Sequence, residues 1–125
     1  MKQIISTPNA PQAIGPYSQA VEANGFVFVS GQIPIVPATG QMPDGIEAQT
    51  EQVMRNIGAI LEAAGLTYSN VVKTTVLLKS IADFATMNGI YAKYFTADCP
   101  ARAAFEVAAL PKGALIEVEV IAAKN

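Results

Sequence analysis

The 125-residue chain contains no histidine and no tryptophan, and its only cysteine is Cys99. The missing histidine excludes mechanisms that need an imidazole base, a histidine metal ligand or a Ser-His pair. A single cysteine can form neither an internal disulfide nor a cysteine-rich zinc site, and it suits a reducing, cytoplasmic setting. Any chemistry that this chain performs must therefore use other side chains.

Charge is also scarce in this sequence. Charged residues make up 14% of the chain, against about 25% in an average soluble domain. The net charge of −2 indicates no basic surface for a nucleic acid. No apolar run approaches the roughly 20 residues that span a bilayer, and the apolar N-terminal stretch is too short for a signal peptide. We expect a cytoplasmic protein with no nucleic-acid partner and no membrane partner.

The length of the chain predicts a single domain over residues 1–125. A first strand is expected at 2–7, before a proline-rich turn. Two more strands, 17–23 and 26–32, are expected on either side of Asn24-Gly25, the dipeptide that most strongly indicates a tight hairpin.

Two later segments have the apolar periodicity of helices. The first begins at Ile46 and ends at Gly65, where Leu66 can pack back as in a Schellman cap. The second opens at residues 80–83, which resemble a capping box, and it contains Gly89, which suggests close packing. The remaining strands are expected at 71–78, 101–107 and 115–123.

These elements give the order β-β-β-α-β-α-β-β and an α+β fold. Two helices cannot cover both faces of a six-stranded sheet, so both are expected on one face. The other face needs cover, which symmetric copies of the same chain supply most economically. Hydrophobic residues make up 51% of the chain, which agrees with surface buried between copies.

Only two arginines occur, and their surroundings differ. Arg55 lies on the polar side of the first helix, one turn after Glu51, as in an ordinary surface ion pair. Arg102 lies in a strand of small and apolar residues, where a buried unpaired charge would cost several kcal/mol. It is either paired with a strand glutamate or presented as a bidentate fork to the carboxylate of a ligand.

Glu117 and Glu119 alternate with apolar residues, so both point to the same face of the last strand. If the last two strands form a hairpin, Ala104 lies opposite Glu117 and Arg102 lies opposite Glu119. One glutamate could then hold Arg102 while the other acts on a water molecule. The residue types leave a role in acid-base chemistry open beside a structural one.

Other candidate positions also allow two interpretations each. Tyr17 follows a turn that would project it from the start of a strand, although half-buried packing is the usual role of a tyrosine. Gly31, after Ser30, either permits close backbone approach or marks a bulge. Asn88 lies within the second helix, where exposure is the default, and Cys99 is expected to be an inert loop thiol.

Several segments together resemble the Rid family, also called RidA or YjgF. The resemblance runs along essentially the whole chain in one order. It is carried by residues 13–19 (AIGPYSQ), 30–34 (SGQIP), 83–88 (DFATMN), 100–102 (PAR), 110–112 (LPK) and 116–119 (IEVE). It implies a chorismate-mutase-like fold with a six-stranded mixed sheet, and a homotrimer with active sites in the clefts between subunits.

The resemblance also implies an activity. Reactive enamine and imine intermediates, released by pyridoxal-phosphate enzymes acting on threonine or serine, would be hydrolysed to 2-keto acids and ammonia. Such a 2-iminobutanoate/2-iminopropanoate deaminase binds a small 2-imino or 2-keto acid. It needs no metal and no cofactor, because an iminium carbon is already electrophilic. The alternative is a non-catalytic trimeric protein that binds or senses small carboxylates, and a ribonuclease or chaperone is a weaker interpretation.

The resemblance assigns roles to individual residues. Arg102 matches the arginine that binds the substrate carboxylate, and Glu117 matches the glutamate that positions the attacking water. The main chain at Ala103 and Ala104 matches the segment that helps to hold that water. Many relatives carry cysteine where Ala104 stands, which leaves the substrate range open. The residues that match the lining of the cleft are Tyr17, Ser30, Gly31 and Asn88.

Overall fold

Two α-helices lie on one face of a six-stranded mixed sheet in the computed structural model, which describes residues Met1–Asn125. The α+β class and the order of elements expected from the sequence are confirmed. The elements are β1 (Gln3–Ile5), β2 (Ala20–Ala23), β3 (Phe26–Gln32), α1 (Ile46–Ala63), β4 (Val71–Leu78), α2 (Phe84–Tyr91), β5 (Ala101–Glu106) and β6 (Ile116–Ala123).

The first two strands are shorter than predicted, and β2 begins at Ala20 rather than at Tyr17. The side chain of Gln19, which is buried, explains this limit. Its Oε1 accepts the amide of Thr7 at 2.7 Å, and its Nε2 donates to the Thr7 carbonyl at 3.1 Å. These hydrogen bonds satisfy backbone groups that a strand ladder would otherwise have to pair.

The strand order is β1-β2-β3-β6-β4-β5, and every neighbouring pair is antiparallel except β4 and β5, which are parallel. The hairpin predicted for the last two strands is therefore wrong, because β4 lies between them. The segment that contains α2 supplies the crossover that parallel pairing of β4 with β5 requires. The chain then passes over β4 and enters the sheet as β6, between β4 and β3.

The cross-strand partners predicted for Ala104 and for Arg102 are wrong for the same reason. Glu117 lies across from Leu77 on β4, and Arg102 lies across from Thr74 on the other side of that strand. Successive side chains of a strand point to opposite faces, and the two β4 positions are three residues apart. Arg102 therefore lies on the helix side of the sheet, whereas Glu117 lies on the helix-free side.

The helices cover the sheet as the periodicity of the sequence predicts. Fully buried side chains of α1, such as Ile57 and Leu61, share one core with strand residues such as Val27 and Val118. The end of α1 is a Schellman motif, with Leu66 N–H donating to the Leu61 carbonyl at 2.8 Å. This cap confirms the predicted helix end.

The start of α2 differs from the predicted capping box. A 3₁₀ turn, Ile81–Asp83, precedes the helix, and Ser80 accepts the amide of Ala82 at 3.2 Å. The close packing predicted at Gly89 is also wrong, because no atom outside its own stretch of helix lies within 4 Å of where its Cβ would be.

The ion pair predicted between Glu51 and Arg55 does not form. Glu51 on α1 instead accepts the hydroxyl of Tyr94 at 2.6 Å and the ammonium of Lys93 at 3.2 Å. These two residues follow α2, so the contact joins the second turn of α1 to the segment after α2. A tertiary neighbour has replaced the local partner that helical spacing predicted.

The helix-free face of the sheet has no cover within the chain. Phe26, Phe28 and Phe105 on this face are 43%, 45% and 47% exposed. Aromatic side chains bury large apolar areas in stable contacts, so a face with three of them exposed is typical of an interaction surface. Neither helix combines the length and the apolar character that would be needed to cross a membrane.

Candidate active site

Arg102, on the edge strand β5, extends its guanidinium over residues of α2. Its Nη1 donates to Oδ1 of Asn88 at 2.6 Å. The guanidinium carbon lies 4.9 Å from the ring centroid of Tyr91 and 5.3 Å from that of Phe84, which are cation–π distances. The chain's ion pairs, Lys93 with Glu51 and Lys124 with Glu22, do not include Arg102. The interpretation of Arg102 as half of an intrachain ion pair is therefore wrong.

An open cavity of about 510 Å³ lies beside the guanidinium of Arg102. Asn88, Tyr91 and Phe95 form the side that belongs to α2 and the turn after it. Cys99 lies at its edge, exposed, with its thiol directed to the carbonyl of Phe95 at 3.4 Å. A positive charge with an open apolar cavity beside it is an arrangement that suits a small organic carboxylate.

Glu117, on β6, lies beside an irregularity in β3. The pairing of β3 with β6 shifts between Val29 and Gln32, which is a β-bulge around Gly31. A Cβ atom at Gly31 would overlap the carboxylate of Glu117 and would lie 2.9 Å from its Cδ. The interpretation of Gly31 as part of a bulge is thus confirmed, and the space that a side chain would fill there holds the carboxylate of Glu117.

Burial raises the pKa of the Glu117 carboxyl above its usual value of 4.5, and the negative charge of Glu119 raises it further. Both side chains lie on the same face of β6, as the alternation of residues predicted, with Glu117 half-buried and Glu119 exposed. A carboxylate with raised proton affinity is suited to take a proton from a water molecule.

A second cavity, of about 620 Å³, lies beside Glu117. Its walls come from the turn before β2, the end of β3 and the loop before β6. Among the residues that line it are Tyr17, Ser30, Gly31, Lys112 and Glu117. Tyr17 is 54% exposed, and the hydroxyl of Ser30 donates to the carbonyl of Ser18 at 2.5 Å.

Buried amide side chains hold the loops around this second cavity. Nδ2 of Asn56, on α1, donates to the carbonyls of Ile33 and Ile35 at 3.2 and 3.0 Å. Oε1 of Gln49 accepts the amide of Leu115 at 2.8 Å, at the start of β6. Nothing in the sequence marks these residues as contributors to a site, because an amide on a helix carries no local signal of a distant partner.

Lys112 is another lining residue that the sequence analysis did not single out. Its φ of 57° lies in the left-handed region that residues other than glycine rarely adopt. Backbone strain of this kind is concentrated at functional sites. Pro111 and Gly113 on either side of Lys112 favour a turn, but the residue types do not show the sign of φ at Lys112.

The sequence-predicted site residues thus form two groups. Glu117 is grouped with Tyr17, Ser30 and Gly31 on the helix-free side and around its bulged edge. Arg102 and Asn88 meet on the helix side, and Ala103 and Ala104 follow Arg102 along β5. The side chain of Ala104 packs against the core. No set of three or more His, Cys, Asp or Glu side chains is placed to hold a metal ion.

Comparison with known proteins identifies the family. A family model described as "Endoribonuclease L-PSP" matches residues 7–124. The chain belongs to this family. A solved Yersinia pestis protein whose description places it in the Rid family superposes with a TM-score of 0.96 at 53% identity, covering 98% of this chain and 99% of that one. The resemblance to the Rid family seen in the sequence is thereby confirmed.

Two curated relatives carry names that state a chemistry. "Reactive Intermediate Deaminase A, chloroplastic" of Arabidopsis thaliana is 55% identical over 97% of this chain, which spans 65% of that protein's length. "2-iminobutanoate/2-iminopropanoate deaminase" of Mus musculus is 50% identical to this chain. The alignment covers 100% of this chain and 93% of the mouse protein. Family members of this similarity are thus named for deamination of reactive imines.

Proposed function

We propose that this protein is a 2-iminobutanoate/2-iminopropanoate deaminase, which hydrolyses reactive imines to 2-keto acids and ammonia. The observation that carries the proposal is the carboxylate of Glu117, half-buried at Gly31 beside a cavity of about 620 Å³ and with a raised pKa. The full-length mouse relative with that name supports the same reaction.

Arg102 anchors the carboxylate of the substrate. Asn88 accepts one N–H of the guanidinium, which leaves the other donors free for a bidentate contact. Glu117 accepts a proton from a water molecule as the water oxygen bonds to the C=N carbon. The main chain at Ala103 and Ala104 helps to hold that water. As water adds to the protonated imine, the electron pair of the C=N π bond moves to nitrogen. The proton held by Glu117 then passes to that nitrogen. The C–N bond breaks as the hydroxyl proton of the adduct returns to Glu117 and the C=O bond forms, and ammonia and the 2-keto acid leave.

The two groups of site residues require a second copy of the chain. Arg102 and Glu117 lie on opposite faces of the sheet, so one copy cannot place both against one small substrate. In the proposed homotrimer of chorismate-mutase-like folds, Arg102 of one copy completes a site with Glu117 of the next. The exposed phenylalanines of the helix-free face, such as Phe26 and Phe28, support burial against other copies.

The first experiment adds the purified protein to a threonine dehydratase reaction and follows the rate at which 2-oxobutanoate appears. A deaminase accelerates this release, whereas the alternative function, a sensor that only binds small carboxylates, leaves the rate unchanged. Titration with 2-oxobutanoate tests binding separately, so a protein that binds without turnover would support the sensor and contradict the enzyme.

The second experiment tests the shared site by mixing two variants whose activity is strongly reduced. Arg102→Lys keeps Glu117, and Glu117→Gln keeps Arg102. When subunits exchange in a one-to-one mixture, about a quarter of the sites in a closed ring receive both native residues. We expect about that fraction of the native activity to return. A mixture that stays inactive after subunit exchange has been verified would contradict a site shared between copies.

A cytoplasmic location and the absence of a nucleic-acid partner are also part of the proposal. The free, exposed thiol of Cys99 is compatible with a reducing compartment. The family model is described as an endoribonuclease, but a net charge of −2 supplies little attraction for RNA. Retention of a labelled RNA at physiological salt would contradict this part of the proposal.

A further inference from the structure

Arg102 is exposed, but the ring of Tyr91 beside its guanidinium is buried and is held by neighbouring side chains. Tyr91 is 7% exposed, and its hydroxyl is hydrogen-bonded to Oγ1 of Thr74 at 2.8 Å. The ring of Phe95 packs against Tyr91 with a centroid separation of 4.7 Å. Thr74 is fully buried and lies directly across from Arg102 on the neighbouring strand. The ring of Tyr91 is therefore held by both the sheet and the helical segment.

An arginine side chain on a strand edge has many rotamers, and binding of a carboxylate must restrict them. A fixed aromatic face attracts the guanidinium plane and limits those rotamers before the ligand arrives. Asn88 accepts a single N–H, which fixes rotation of the fork within that plane. No negative charge takes part, so the attraction of the guanidinium for an anionic ligand is not neutralised.

We propose that Tyr91, held by Thr74, is a positioning residue that sets the orientation of the Arg102 guanidinium for the carboxylate of the ligand. This inference rests on the proposed function only for the identity of that ligand. Tyr91 contributes through its ring face, and Thr74 contributes by fixing where that face lies. The pair therefore governs affinity for the carboxylate more than the rate of the chemical step at Glu117.

Kinetics and binding of 2-oxobutanoate test this division of roles. Tyr91→Leu removes the ring face, and we expect KM and the Kd for 2-oxobutanoate to rise about 5- to 10-fold while kcat changes less than about 2-fold. Tyr91→Phe and Thr74→Val keep the aromatic ring but remove the hydrogen bond that holds it. For each of these variants we expect KM and Kd to rise about 3-fold. Thr74→Ser, which retains the hydroxyl, should restore near-native values.

A second readout does not depend on activity. Because the chain has two arginines, its arginine Nε–H NMR spectrum contains one signal for Arg102 and one for Arg55, which lies on α1 and has no cation–π contact with Tyr91. The ring face of Tyr91 shifts the Arg102 signal. We expect Tyr91→Leu to move that signal toward the position of an unstructured arginine and to leave the Arg55 signal in place.

Tyr68→Phe is the matched control, because the hydroxyl of Tyr68 also donates to a partly buried acceptor, the carbonyl of Met54, at 2.6 Å. It should lower the Tm without changing KM or the Arg102 signal. An unmoved Arg102 signal in Tyr91→Leu, or unchanged Kd values in Tyr91→Phe and Thr74→Val, would overturn the inference. If the native protein neither binds 2-oxobutanoate nor accelerates its release, the proposed function fails, and the NMR result alone decides the positioning role.

Discussion

The surroundings of Arg102 and of Glu117 show two different ways to prepare a charged side chain. Arg102 is exposed and is oriented by side chains that contact it, namely Asn88, Phe84 and Tyr91. Glu117 is half-buried, and its carboxylate occupies the space that a side chain at position 31 would fill if that residue were not glycine. Contact fixes the direction of the cation, whereas burial without a compensating hydrogen bond raises the pKa of the acid. Orientation suits an anchor, and raised proton affinity suits a base.

Arg102→Lys should have the largest effect. The positive charge remains, but the planar fork that matches a carboxylate is lost. We expect kcat/KM to fall by about one to three orders of magnitude, which is roughly 1.5–4 kcal/mol of transition-state stabilisation. The coupled assay measures the fall, and light scattering checks that the oligomer persists. Near-native activity in an intact oligomer would show that the fork is not the anchor.

Glu117→Gln should affect rate and not affinity, in contrast to Arg102→Lys. Glutamine is nearly isosteric but cannot accept a proton at neutral pH, so turnover should fall by about 10²-fold. Binding of 2-oxobutanoate should persist, because Arg102 carries that contact in the proposed site. Calorimetric titration beside the rate assay checks both. Equal losses of binding and rate would mean that Glu117 shapes the cavity and would favour the sensor.

The stability of Glu117→Gln should depend on pH differently from that of the native protein. Because the folded-state pKa of Glu117 is raised, this group stabilises the fold below its unfolded pKa and loses that contribution as the pH rises through its folded pKa. Replacing Glu117 with glutamine removes this dependence. We expect the Tm of Glu117→Gln, relative to the native protein, to increase between pH 4 and pH 7. A constant difference between the two proteins over this interval would contradict the raised pKa.

Gly31→Ala should have a moderate effect that is specific to the Glu117 group. The added methyl would meet the flexible end of Glu117, so the carboxylate must turn away while the backbone stays in place. We expect about a 10-fold loss of kcat, the scale of a small misplacement of a catalytic group. Gly89→Ala is the matched control, because open space surrounds that position. It should leave activity unchanged and raise stability by up to about 1 kcal/mol.

Glu119→Gln should have the smallest effect, a shift in pH dependence. The charge of Glu119 raises the pKa of Glu117, so its removal lowers that pKa. The proposed mechanism requires ionised Glu117, so the acidic limb of the pH–rate profile should move to lower pH, with little change at its plateau. Glu62→Gln, on α1, is the control with the same loss of charge. An equal shift in both variants would assign the effect to net charge.

Local signals in the sequence were sufficient to predict the helices and strands and the sheet face that some side chains take. Apolar periodicity determined both helices, Gly65 determined the end of α1, and the Asn24-Gly25 hairpin followed from the two residues that best accept a positive φ. Alternation along β6 placed Glu117 and Glu119 on one face. Each of these depends on neighbours within a few residues, where geometry is fixed by the backbone.

The arrangement of the site depended on contacts between distant parts of the chain. Periodicity shows which face a side chain takes within its own strand, but not which strand lies next to it. Packing of α2 placed β5 beside β4, so Arg102 and Glu117 came to opposite faces rather than to one hairpin. Likewise, only the approach of β6 to the bulge in β3 showed that Gly31 is small because the carboxylate of Glu117 fills that space.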